Sequence, residues 1–225
     1  MLSERQVLRL LVVLAAAAGS LDALCVSTLD GMFASVITGN VVQLGRALVA
    51  PDGRMVTGAV VAVGCYAVGV TSATAVLRHR DPGWRRRTGL VVAAETALLL
   101  AVSGGWLALA GRPGPGGTPL LLACAAMAMG VQSAATVGSG VPEASTTYLT
   151  GTLTSLARAL GGLPHGFAVA AALRLTAFLC GAVAGALLLR FAPLWTPFLP
   201  TALVGGVAAA TLASTRNRFA SKRVK

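Results

Sequence analysis

Charge is what this chain has little of. Charged side chains make up 11% of its 225 residues, against roughly 25% in an ordinary soluble domain. Only seven are acidic, which excludes a conventional water-facing globular surface. Histidine is nearly absent: His79 and His165 are the only two, and neither has a partner at metal-ligand spacing. Cys25, Cys65, Cys124 and Cys180 are far apart, so no redox or zinc motif is present. Walker A, G-x-S-x-G, H-E-x-x-H and dinucleotide fingerprints are all missing. An intramembrane enzyme would need histidine or clustered carboxylates in mutual reach. The expectation is therefore a protein that is not an enzyme and takes no metal or cofactor.

What is abundant is hydrocarbon. Hydrophobic residues reach 56%, with a mean hydropathy of +0.79. Charge-poor runs at 8–28, 57–77, 89–110, 119–137, 167–189 and 196–214 each approach the ~20 residues that cross a bilayer as a helix. Lipid satisfies no backbone N–H or C=O, so helices are the expected form. The runs do not alternate as barrel strands do. They predict an all-α, polytopic membrane bundle of about six transmembrane helices, with the lipid bilayer as its first partner.

The net charge of +11 does not point to nucleic acid, because the positive residues follow topology. With six spans, Arg5 and Arg9, the group Arg78, Arg80, Arg85, Arg86 and Arg87, Arg158, and the tail from Arg216 to Lys225 share one face, thirteen charges in all. Arg46, Arg54, Arg112 and Arg190 fall on the other, and Arg174 lies inside a span. This asymmetry predicts a multi-pass protein with both termini cytoplasmic. An eight-span reading, with 33–50 as a further crossing, erodes it. Arg5 and Arg9 before an apolar run resemble a signal peptide, but the run continues through Val26 and is needed for the pairing described next.

Residues 38–48, TGNVVQLGRAL, recur as 150–160, TGTLTSLARAL. Six of the eleven positions are identical at an offset of 112, half the chain. The same offset pairs Gly69 with Gly181 and Leu77-Arg78 with Leu189-Arg190. Duplication explains this better than composition. A single membrane domain, 1–225, thus divides into repeats of about 1–112 and 113–225, joined by the turn-rich GRPGPGGTP at 111–119. Three helices per half make the second copy inverted relative to the first, a known way to build a transporter.

In each copy the motif lies in a segment, 29–56 or 138–166, that is apolar yet left over from the six spans. A broken or re-entrant segment lining a cavity fits; an interfacial amphipathic helix is the other placement. Glycine allows close approach, and Thr38 and Thr150 are expected to cap the helices that follow. The exposed N–H groups of such helix ends suit an anionic or carbonyl-bearing ligand. Inversion would bring Thr38, Gly39 and Asn40 together with Thr150, Gly151 and Thr152 near the midplane as a substrate site. Close packing of small residues is the bland alternative.

Four further polar residues fall inside spans, where they are costly. Asp22 reads as a proton or cation site, or as a cap for the re-entrant backbone. Gln132 occupies the related place in the second half, and Ser35, Thr146 and Thr147 line the same space. Glu95 and Arg174 sit at similar depth and are expected to pair. Gly181 and Gly185 form a GxxxG packing signal, with Gly69 as counterpart.

Gly19, Asp22, Phe33, Ser35, Thr38-Gly39-Asn40 and Gly45, with Gly130, Gln132, Thr146-Thr147 and Thr150-Gly151-Thr152, resemble the YoaK family of small bacterial integral membrane proteins (domain of unknown function 1275). The resemblance covers most of the chain and implies architecture and a bacterial inner-membrane location, not a substrate. The residues themselves favour a small-solute secondary transporter or permease. A non-transporting scaffold, sensor or accessory subunit is the alternative. The small six-helix surface also allows a homodimer.

Overall fold

The computed structural model describes residues 2–50, 52–78, 83–141, 144–147, 149–162 and 168–223, with side chains to Ser214 in the last helix. His79, Arg80, His165 and Lys225 lie outside these residues. Among the described residues eight α-helices follow in order: α1 (Glu4–Thr28), α2 (Ile37–Val49), α3 (Gly53–Leu77), α4 (Arg86–Ala108), α5 (Gly117–Val137), α6 (Leu149–Leu160), α7 (Ala168–Phe191) and α8 (Phe198–Arg223). A short 3-10 turn at Pro193–Trp195 joins the last two. Six of the eight are long and apolar enough to cross a membrane. The two that are not, α2 and α6, have 13 and 12 residues and carry the repeated motif.

Helix directions follow from which residues meet. A Cβ on Gly19 would strike the Phe178 carbonyl, one on Gly181 the Ala16 carbonyl, and one on Gly185 the Ser20 carbonyl. α1 and α7 therefore run parallel in close backbone contact. Gly69 against Met127 and Gly130 against Tyr66 bring α3 and α5 equally close, and Gly58 beside Leu122 with Gly138 beside Leu77 shows that these two also run parallel. These crossings need glycine because nothing wider lets two backbones approach so closely, and packing is the main attraction between helices in lipid. The GxxxG of α7 is thus a packing element, as its spacing predicts.

α4 and α5 run antiparallel, with Gly105 facing Leu121 and Gly117 facing Leu109. α4 and α8 are also antiparallel: Gly89 meets Thr211 and Leu212, and Ser103 Oγ bonds the Pro197 carbonyl at 3.2 Å. Two buried tryptophans clamp this pair at its ends. Trp84 Nε1 donates to Thr211 Oγ1 and Trp106 Nε1 to the Pro193 carbonyl, both at 2.9 Å. It follows that α1, α4 and α7 run one way and α3, α5 and α8 the other.

Loop hydrogen bonds mark the two faces of the bundle. Leu2 N donates to the Trp84 carbonyl and Gly83 N to the Gly138 carbonyl, tying the N-terminus, the α3–α4 loop and the end of α5 together. The opposite face gathers Thr28, Asp30, Arg54 and Thr118 around one cleft. α1 and α5 lie deepest in the bundle. α3 and α7 turn Val60, Val68, Leu173, Val183 and Leu187 outward, an apolar surface that belongs in lipid.

Candidate functional site

The Asp22 side chain reaches out of α1 to the loop that precedes α2. Its carboxylate accepts from Ala34 N and Ser35 N, both at 2.8 Å, and from Ser35 Oγ at 2.5 Å. Asp22 stands six residues before the end of α1, roughly 9 Å at 1.5 Å per residue. The loop therefore folds back along α1 into the bundle before α2 sets out again, which is a re-entrant path. Asn40, fully buried, holds the same loop from the other side. Its Oδ1 accepts from Phe33 N at 2.9 Å and its Nδ2 donates to the Phe33 carbonyl at 2.7 Å. Of the two readings of Asp22, backbone capping is the one the structure favours.

The second half repeats the plan with different chemistry. Gln132, also fully buried, donates from Nε2 to Thr146 Oγ1 at 2.8 Å in the loop before α6, and to the Leu14 carbonyl of α1 at 3.2 Å. Its Oε1 has no hydrogen-bond partner among the described residues, and neither has the buried Oγ1 of Thr147. By the repeat offset Thr147 corresponds to Ser35 and Thr146 to Ala34. The first cluster is closed by its carboxylate; the second is left with open oxygens.

The motif triplets take the same attitude in both copies. Thr38 and Thr150 are exposed, Gly39 and Gly151 half-buried, Asn40 and Thr152 buried. One expectation is corrected here. Thr38 and Thr150 do not cap their helices: α2 and α6 begin at Ile37 and Leu149, one residue earlier, and the N-cap of α2 is Val36, with no side-chain bond. The start of α2 is moreover engaged locally, with Ile37 N on the Ser35 carbonyl and Gly39 N on the Val36 carbonyl, so it offers little to an anion. α2 packs chiefly on α3, and α6 on α7. Short amphipathic helices bury only the face turned to their neighbour, and that face carries Asn40 and Thr152.

The expected Glu95–Arg174 pair does not form. Both carboxylate oxygens of Glu95 lack a hydrogen-bond partner among the described residues. The side chain has no solvent exposure and Arg174 only 3%, but they stand on helices with different neighbours. α4 packs on α5 and α8, whereas α7 packs on α1 and α6. Position around the bundle was not readable from the spans.

Sequence reasoning named Thr147 only as a lining residue and overlooked the Leu14 carbonyl and the Phe33 backbone, because main-chain partners have no residue-type signature. It also did not foresee the cleft of about 300 Å³ on the face where α1 ends, bordered by Thr28, Asp30, Arg54, Thr57, Gly58 and Thr118. No group of three or more His, Cys, Asp or Glu able to hold a metal occurs among the described residues, and all four cysteines are free thiols.

Six apolar crossings, two short motif helices and buried polar clusters at their loops define a multi-pass helical membrane protein. Residues 10–210 match the family model described as "Protein of unknown function (DUF1275)". The chain belongs to that family, the YoaK group its motifs resemble. No curated protein and no solved structure matches it.

Proposed function

We propose that this protein is a small-solute secondary transporter or permease, built from two repeats of opposite orientation in the membrane. The observation that carries the reading is the opposed course of equivalent helices: α1 and α5, α3 and α7, α4 and α8 correspond in order yet run in opposite directions. Packing supports it too, since exchanging the halves turns the α1–α7 contact into α5–α3, and α2–α3 into α6–α7. Inverted repeats with broken motif segments are a recurrent transporter plan, with solute held near the repeat interface. In this reading both termini face the cytoplasm, the Asp30–Arg54 cleft opens on the opposite side, and the chain performs no catalysis.

Solute contact falls to the half-closed second cluster, Gln132, Thr147 and Thr152, while Asp22 and Asn40 brace the first. The test is thermal stabilisation of the purified protein across a panel of metabolites and ions. A solute that raises the melting temperature of wild type, but not of Thr147→Val or Gln132→Leu at unchanged fold, supports the site. The saturated bonding of Asp22 and Asn40 favours a second reading, a scaffold or accessory subunit with structural motifs. A panel in which nothing stabilises wild type decides for that reading.

A further inference from the structure

Glu95 is the tenth residue of the 23-residue α4, near mid-membrane at 1.5 Å per residue. On α4, Gly89, Thr96 and Ser103 face α8, while Gly105 faces α5. At 100° per residue Glu95 points between these two neighbours, into the interior shared by α1, α4, α5 and α8. The antiparallel contacts Gly105–Leu121 and Leu109–Gly117 set the α4–α5 alignment. Counting ten residues from the first brings Glu95 level with Val131, next to Gln132. Gln132 turns to the same interior, since it bonds the Leu14 carbonyl of α1. Two buried side chains thus bring three oxygen atoms, Glu95 Oε1, Glu95 Oε2 and Gln132 Oε1, that have no donor among the described residues.

A carboxylate without donors or a counter-ion is the most expensive group this interior can hold. No Asp, Glu, Lys, Arg or His occurs along α5 or between Phe198 and Ser214 of α8. α3 presents only Cys65 and Tyr66 at this level, as the contact of Gly130 with the Tyr66 carbonyl places them; on α1, Arg5 and Arg9 are exposed, and Asp22 and Cys25 lie eight and eleven residues beyond Leu14, with Asp22 bound to Ala34 and Ser35. We infer that Glu95, with the Gln132 side-chain carbonyl beside its level, is an intramembrane proton-binding site. One proton on Glu95 removes the charge and creates a single O–H donor for Gln132 Oε1, answering both vacancies at once. A metal cation fits less well. Hard cations gather roughly six or more oxygens, and Glu95, Gln132 and the nearby Thr147 supply only four. Use of this proton to drive solute movement rests on the transporter reading; the site does not.

The experiment is pH-step infrared difference spectroscopy on the full chain in lipid nanodiscs. Expected is a carboxylic-acid C=O band in wild type that shifts on uniform ¹³C-glutamate labelling, is lost in Glu95→Gln, and moves to higher frequency in Gln132→Leu. Glu4, Glu95 and Glu143 are the only glutamates, so labelling assigns the band to a short list even where a variant folds poorly. A wild-type spectrum without a label-sensitive acid band, or a band unchanged in Glu95→Gln, overturns the site. A band that responds to sodium concentration at fixed pH overturns it in favour of a metal cation. The expected band with no stabilising solute in the panel supports the proton site and removes the transporter reading. A stabilising solute without the band does the reverse.

Discussion

The first half of the molecule answers the polar demands of its re-entrant loop with a carboxylate and a carboxamide; the second half meets the same loop with a glutamine and threonines. Asp22 and Asn40 together take up Phe33, Ala34 and Ser35. Gln132 reaches only Thr146 and spends its other bond on α1. The contrast teaches that two segments with the same motif can be held by different chemistry. One copy has the bonding of a structural joint, and the other retains buried oxygens for something else to occupy.

The comparison can be broken hardest where the halves are alike. Gly19→Val and Gly130→Val each drive a side chain into a facing carbonyl, and both should abolish the monodisperse folded peak in detergent size-exclusion chromatography. Loss in only one would show that the crossings are not equivalent. Next comes the point where the halves differ. Asp22→Ala leaves two buried N–H groups unpaired and should cost about 3 kcal/mol, read by chemical denaturation in mixed micelles. Gln132→Leu removes its open oxygen together with its bonds and should cost about 1 kcal/mol, in the range of hydrogen bonds between membrane helices. Equal losses would dissolve the contrast between closed and open clusters.

Asn40→Ala should cost about 2 kcal/mol by stranding both backbone groups of Phe33, again by denaturation. Thr152→Asn asks whether the second half can be converted into the first; a gain in melting temperature would mean its loop is poised for the same clasp. The smallest effects belong to Thr38→Val and Thr150→Val, whose side chains are exposed. Each should stay within about 0.5 kcal/mol in the same assay.

Much of the bundle was legible from sequence because bilayer thickness imposes length. The spans read from hydropathy fall within a few residues of α1, α3, α4, α5, α7 and α8. The motif pairing was legible because six identities fall in one window. Asp22 as a backbone cap was foreseen as one of two alternatives, and only the coordinates of Ala34 and Ser35 choose between them. The Glu95–Arg174 pairing failed for a definite reason. Span position gives depth, whereas packing partners are selected by small residues far away in sequence, such as Gly19 and Gly181. The N-cap of α2 was missed by two residues, since Val36 stands there in place of Thr38 and makes no side-chain bond that would leave a signal.

The crossing of α1 with α7 also has a consequence in time. Gly19 leaves the ribosome long before Gly181. At a synthesis rate of about 5–20 residues per second, the intervening stretch takes roughly 8–30 s to make. Throughout that interval one of the two deepest helices of the protein must wait in the membrane with its glycine face open. Its eventual partner is not the next helix inserted but one from the far half. Assembly is therefore a late and collective event, with neither half able to finish its interior alone. A chain interrupted in the linker at 111–119 should regain its fold only when both pieces share one bilayer.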